Sequence, residues 1–202
     1  MKLLNEKEIE HIYRNYLLKH FPAEEIKPLD RIVKMYRENH YAAYGMYEDE
    51  ELSGYAFCTV APGCNQVLLD YLAVLEDKRS TGVGGKILCQ LREMFLNTPG
   101  ENHGVDIAGI LIETEDIDFA KDQKEREKRR RRNSFYEKNG AVITQVKSQI
   151  YGVNYRNWQL PVREILPEKK CLDNLQKIYH IMVPDEQYEK NVCLYHRVPD
   201  RR

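Results

Sequence analysis

A mixed α/β fold, with helices flanking one central and mostly antiparallel sheet, is predicted by three observations. Two strand-like runs, Tyr41 to Tyr47 and Leu52 to Ala61, flank the acidic turn Glu48-Asp49-Glu50-Glu51, which is a hairpin pattern. An apolar strand reaching Leu75 runs through a glycine-rich turn directly into an amphipathic helix. Helical and strand patterns then alternate to the end of the chain without an internal repeat or a low-complexity linker. At 202 residues the chain suits one domain spanning 1–202, given the usual scale of about 150 residues per domain.

Each element has its own signal. Asn5 caps a first helix whose Ile9, Ile12, Tyr13, Tyr16 and Leu17 share one face, and Phe21-Pro22 ends it. Pro28 opens a second helix with Leu29, Ile32, Val33 and Tyr36 facing inward. After the hairpin, Pro62-Gly63 breaks the strand and Gln66 to Leu75 forms the third. The next helix buries Ile87, Leu88, Leu91, Met94 and Phe95, and Thr98-Pro99-Gly100 stops it. Ile107 to Thr114 is almost continuously apolar, as for a strand covered on both faces. Lys121 to Lys138 has helical propensity but almost no apolar residue before Phe135, and Asn139-Gly140 supplies its stop. Ala141 to Tyr151 and Asn157 to Val162 read as strands. A helix then carries Leu172, Leu175, Ile178, Tyr179 and Met182, and Asn191 to Val198 reads as a last strand.

Composition excludes several classes. Thirty-one basic and thirty-two acidic residues nearly cancel, so no global field draws the protein to nucleic acid or to a membrane surface. The first residues lack the apolar core of a signal peptide, and the longest apolar runs fall far short of a membrane span. The five cysteines form no C-x-x-C pair and read as thiols of a reducing cytoplasm. The histidines show no metal-ligand spacing, so no metal is expected, and no G-x-S-x-G is present.

The turn Arg79-Ser80-Thr81-Gly82-Val83-Gly84-Gly85 reads as a phosphate cradle by its chemistry, with a plain helix start built on tightly packing glycines as the alternative. Glycines let the backbone approach phosphate oxygens. The helix start offers unpaired N–H groups and roughly half a positive charge. A dinucleotide-binding G-x-G-x-x-G starting at Gly82 needs glycine at 87, which is Ile87. A Walker loop ending at Gly85-Lys86 needs glycine where Ser80 stands, and Ser or Thr where Ile87 stands. The fitting pattern is Arg-x-x-Gly-x-Gly after a strand ending Leu72-Ala73-Val74. It resembles the acetyl-CoA pyrophosphate loop of the GNAT-type N-acetyltransferase superfamily. Phe135-Tyr136-Glu137-Lys138-Asn139-Gly140-Ala141 resembles a second segment of that family, with Ala141 where an aromatic is usual. The two motifs stand in the family's order, and the resemblance covers about residues 30–145.

The resemblance implies a GNAT-like fold, acetyl-CoA as cosubstrate, and transfer of the acetyl group to a primary amine by direct attack in a ternary complex. It implies that Arg79 to Gly85 bind pyrophosphate. Leu72, Ala73 and Val74 would offer backbone donors to pantetheine and the acetyl oxygen, where such a donor is worth about 3 kcal/mol. It implies that Tyr136 protonates the leaving thiolate. In many members an Asn stands seven residues before that tyrosine; here the position is Arg129, which instead brings positive charge toward the phosphates. The acceptor would be a small-molecule or peptide amine, held by the first two helices, the loop from His20 to Pro28 and the segment after Gly140.

An amine of pKa about 10 must lose a proton before it attacks. Two carboxylates on central strands are candidates, Asp70 and Glu113, each with a structural, hydrogen-bonded role as the alternative. Glu115, Asp116 and Asp118 read as solvated loop acids. The basic helix 124–132 invites a nucleic-acid reading, but Glu125 and Glu127 stand four residues before Arg129 and Arg131, and no aromatics are interleaved. The expectation is therefore a cytoplasmic acetyltransferase, monomer or homodimer, without membrane or nucleic-acid partners. A non-catalytic acyl-CoA-binding regulator and a nucleic-acid-associated protein are the rival classes.

Overall fold

The computed structural model describes residues 1–98, 100 and 104–196. Pro99 of the expected helix stop, His103, and Arg197 and Val198 of the expected last strand lie outside the described residues. The elements are β1 (Lys2–Leu3), α1 (Glu6–Ile12), a π-helical stretch Tyr13–Leu17, α2 (Leu18–His20), α3 (Leu29–Arg37), β2 (Tyr41–Glu48), β3 (Glu51–Thr59), β4 (Gln66–Val74), α4 (Val83–Asn97), β5 (Gly109–Glu115), α5 (Gln123–Lys138), β6 (Val142–Ile150), β7 (Val153–Pro161), α6 (Glu168–Met182), α7 (Asp185–Asn191) and β8 (Val192–His196). Hydrogen bonding orders one eight-stranded sheet as β1-β2-β3-β4-β5-β7-β6-β8. The pairs β1–β2, β2–β3, β5–β7, β6–β7 and β6–β8 are antiparallel.

By its internal contacts the chain divides into two compact units. The first comprises 1–60 and 69–91, the second 61–68 and the described residues from 92 onward. In the first, Asn5 caps α1 through a full capping box with Glu8, satisfying two amides that the helix leaves open. The hairpin turns at Asp49 and Glu50, both at positive φ (51° and 68°), the geometry whose twist matches its strands. Gly54 lets α4 close onto β3: a Cβ there would lie 2.7 Å from Ile87 Cδ1 and 2.8 Å from the Ala73 carbonyl oxygen. Ile9, Ile12, Leu17, Ile32, Met35, Tyr55, Phe57, Ile87 and Leu88 form the core here. On α3 the inward residues are Ile32 and Met35, while Leu29, Val33 and Tyr36 are only half-buried.

In the second unit β5 is covered as its apolar run predicts, with Ile110, Leu111 and Ile112 almost fully buried. Strand β7 begins at Val153, four residues before the expected start, because Tyr151 and Gly152 turn the chain at positive φ and pair β7 with β6 from Ile150 onward. Helix α6 buries Cys171, Asn174, Leu175, Ile178 and Tyr179, with Leu172 half-buried. No helix among the described residues is long and apolar enough to cross a membrane.

Candidate active site

The strand–turn–helix of the first unit takes the form that its glycines require. β4 ends at Val74, a 3-10 turn spans Glu76–Lys78, and Ser80 and Gly82 adopt φ of 64° and 90° before α4 begins. Positive φ is unusual for serine and costs nothing for glycine, so the turn holds a strained residue beside a permissive one. The Arg79 guanidinium donates through Nε to the Val74 carbonyl at 3.3 Å and pairs with Glu76 at 3.6 Å, which ties the loop back to the strand end. Thr81 Oγ1 donates to the Lys78 carbonyl at 2.6 Å. The first ladder bond of α4 runs from Lys86 N–H to the Gly82 carbonyl at 3.1 Å, so the amides of Val83, Gly84 and Gly85 precede the ladder. Val83 is buried and anchors the turn, while Arg79, Ser80, Thr81 and Gly82 are exposed. Leu72, Ala73 and Val74 are half-buried, whereas Val67 to Leu69 upstream are buried.

Asp70 is engaged on both oxygens. Lys27 Nζ lies 2.5 Å from Oδ1, and the Tyr41 hydroxyl donates to Oδ2. The Tyr71 hydroxyl donates to the Glu25 carbonyl at 3.0 Å and accepts the Lys27 amide at 2.9 Å, while Tyr13 donates to the Lys27 carbonyl at 3.1 Å. Burial, then the Asp70 charge, pushes the Tyr41 and Tyr71 phenols up from their ordinary value. The segment before α3 is thereby fastened to β4 through the Lys27–Asp70 ion pair and the Tyr71 hydroxyl, while Tyr41 of β2 holds Asp70 and Tyr13 holds Lys27.

In the second unit Glu113 Oε1 accepts the Ser148 hydroxyl at 2.9 Å and the Tyr179 hydroxyl, and Asn157 Nδ2 donates to Ser148 Oγ at 3.0 Å. Burial and the Glu113 charge keep the Tyr179 phenol protonated. The acids just beyond are not solvated as a group. Asp116 is 1% exposed and receives Lys147 and Arg156, each at 2.7 Å; Glu115 pairs with Arg129 and Arg132; only Asp118 is exposed. The reason is long-range: the cations that satisfy Asp116 stand 31 and 40 residues downstream.

Arg129 is buried and donates to the Asp116 carbonyl, to Glu115 at 2.8 Å and to Glu125 at 3.0 Å. Through Nη1 and Nη2 its guanidinium joins α5 to the end of β5, while its Nε has no partner among the described residues. Glu127 accepts Gln123 at 2.9 Å instead of pairing with Arg131, so only half of the expected self-neutralisation of the basic run occurs. Tyr136 lies near the C-terminus of α5, buried, its ring edge-on to Phe135 at 5.1 Å. Burial pushes its phenol up to about 12, against the opposing charge of Arg132. Its hydroxyl has no hydrogen-bond partner among the described residues, unlike those of Tyr41, Tyr71 and Tyr179.

One residue escaped the motif reading. Asn133 is buried one turn before Tyr136, and its Oδ1 has no partner among the described residues. The signal was present as a spacing: Arg129, Asn133 and Tyr136 fall at i, i+4 and i+7, a buried polar stripe on a helix with few apolar residues.

Known structures share this fold. A GNAT-family acetyltransferase from Bacteroides thetaiotaomicron superposes with a TM-score of 0.63 at 15% identity, over 87% of this chain and 92% of that one. An aminoglycoside 6'-N-acetyltransferase complexed with coenzyme A gives 0.55 at 15% identity, over 83% and 100%. The ribosomal-protein-S18-alanine N-acetyltransferase from Escherichia coli gives 0.54 at 15% identity, over 82% and 94%. No protein-family sequence model and no curated protein matches the chain by sequence. The chain has the GNAT-type N-acetyltransferase fold.

Proposed function

We propose that this protein is an acetyl-CoA-dependent N-acetyltransferase, with residues 1–202 acting as one domain and a primary amine as acceptor. The observation that carries the reading is the turn from Arg79 to Gly85, in which Ser80 and Gly82 at positive φ lead from the end of an apolar strand into the first amides of a fifteen-residue helix. Those amides and the Arg79 guanidinium suit a pyrophosphate. The cosubstrate would supply an activated acetyl thioester. Leu72, Ala73 and Val74, half-buried at the strand end, would orient it through backbone groups. Asn133, with an unsatisfied buried oxygen, suits an amide N–H of the pantetheine arm.

Tyr136 fits the acid role. A phenol held near 12 stays protonated at neutral pH, and its hydroxyl is not spent on another residue. Asp70 and Glu113 are both engaged, Asp70 by an ammonium and a phenol, Glu113 by two hydroxyls. In this reading they hold neighbouring groups in place. In this reading Arg129 braces α5 against the end of β5.

Thermal unfolding with acetyl-CoA, ATP or NAD tests the reading. Saturation at 100 times Kd adds about 2.7 kcal/mol to a protein that binds only when folded. A shift with acetyl-CoA alone is expected, followed by thiol release in the presence of an amine panel. Equal or absent shifts with all three overturn it.

A further inference from the structure

The reaction proposed above needs a group that takes a proton from the acceptor ammonium, and both strand carboxylates are committed elsewhere. We propose that His20 is that base, with Tyr55 as its positioning residue; the inference rests on the acetyltransferase reading. His20 closes α2, at the head of the loop 20–28, and its ring stacks on Tyr55 with centroids 5.8 Å apart and planes 9° from parallel. Its Nδ1 stands 3.0 Å from the Tyr55 hydroxyl. Tyr55 is fully buried on β3 beside Gly54, where a Cβ would lie 2.8 Å from the Ala73 carbonyl oxygen of β4. The charges of Arg79 and Glu76, in the turn that follows β4, act on the imidazole.

The surroundings favour the neutral ring. Burial holds the His20 pKa below its ordinary value, and the Arg79 and Lys19 charges push it the same way against Glu76. The other groups facing it are the Tyr55 hydroxyl and the Tyr16 ring, whose centroid is 6.4 Å away. With its hydrogen on Nδ1 and donated to the Tyr55 oxygen, the ring presents the Nε2 lone pair, and it keeps that bond when it becomes imidazolium. His20 is only half-buried, so a substrate amine can reach it.

The protons balance. An acceptor ammonium gives one proton to His20 Nε2, which passes it to water. The freed nitrogen forms the C–N bond to the acetyl carbon as the C–S bond breaks. The Tyr136 phenol gives its proton to the departing sulfur, and the second proton, lost by the nitrogen as the amide forms, returns through water to restore that phenol.

The test compares the wild type, His20→Gln and Tyr55→Phe for acetyl-CoA-induced thermal shift and for kcat/KM against pH, using the best amine of the panel. For His20→Gln the expected result is an unchanged shift, about 100-fold lower kcat/KM at pH 7, and loss of the acid limb expected of the wild type below about pH 6.5. Tyr55→Phe should keep that limb but move it, with a smaller loss. Wild-type turnover that survives His20→Gln with the same acid limb overturns the assignment of His20 alone. Absence of an acetyl-CoA shift, or of any acetylated amine, in the wild type overturns the acetyltransferase reading and this inference with it.

Discussion

Lys27 Nζ and Asp70 Oδ1 stand 2.5 Å apart, with only 17% and 8% of their side chains exposed. The pair joins the segment before α3 to an acid inside β4, and Tyr41, Tyr71 and Tyr13 close the remaining valences around it. An acid in an apolar strand is explained by this partner without any catalytic role.

Asp70→Asn leaves the Lys27 ammonium buried without its counter-charge, which costs about 3 kcal/mol. Urea denaturation should show that loss. Lys27→Met combined with Asp70→Asn removes both charges and should recover most of the stability and the turnover. Recovered stability with turnover still abolished would instead assign proton transfer to Asp70.

Tyr136→Phe removes a hydroxyl that has no partner among the described residues, so stability and acetyl-CoA affinity should barely change. If the phenol protonates the leaving sulfur, turnover falls by about 100-fold or more. The same turnover as the wild type would remove Tyr136 as the acid. Asn133→Ala should act oppositely, weakening acetyl-CoA binding with a smaller change in turnover.

The strand–turn–helix and the hairpin were legible because their signals are local: glycines, an acidic turn and apolar periodicity within a dozen residues. α5 was legible from propensity alone, since its buried face is Arg129, Asn133 and Tyr136 and carries no apolar stripe. What escaped depends on distant partners. Nothing near Asp116 reveals that Lys147 and Arg156 will bury it, and the polar start of β7 reads as loop until Arg156 is seen to serve that ion pair. α7 escaped because Tyr188 is its single buried residue. The stacking of His20 on Tyr55 spans 35 residues and has no sequence signature.

Asp116 makes stability depend on acid pH. Burial raises its pKa, but hydrogen bonds from Lys147, the Asp118 amide and Arg156 outweigh that and hold it below the ordinary value. A carboxyl depressed on folding stabilises fully above its unfolded pKa of about 3.9, and that contribution disappears as pH falls through the folded value. Asp116→Asn should therefore cost about 3 kcal/mol at pH 7 and progressively less below pH 4. A cost independent of pH down to 2 would show that the trio contributes packing and not charge.

Gly82 separates backbone geometry from side-chain bulk in the phosphate turn. A Cβ at this position would meet nothing within 4 Å, so Gly82→Ala introduces no clash. Its φ of 90° is nevertheless one that an L-residue adopts only under strain, at a cost of about 1 kcal/mol or more. The loop can relieve that strain by rotating the peptide, which would turn the leading amides of α4 away from a bound pyrophosphate. Gly82→Ala should thus lower melting temperature slightly and weaken acetyl-CoA binding at least tenfold, read by calorimetric titration. Ser80→Gly, which removes a strained residue at φ 64°, should raise stability and leave binding intact. Tight acetyl-CoA binding in Gly82→Ala would mean that the helix amides do not hold the phosphates, and would leave the Arg79 guanidinium as the group to vary next.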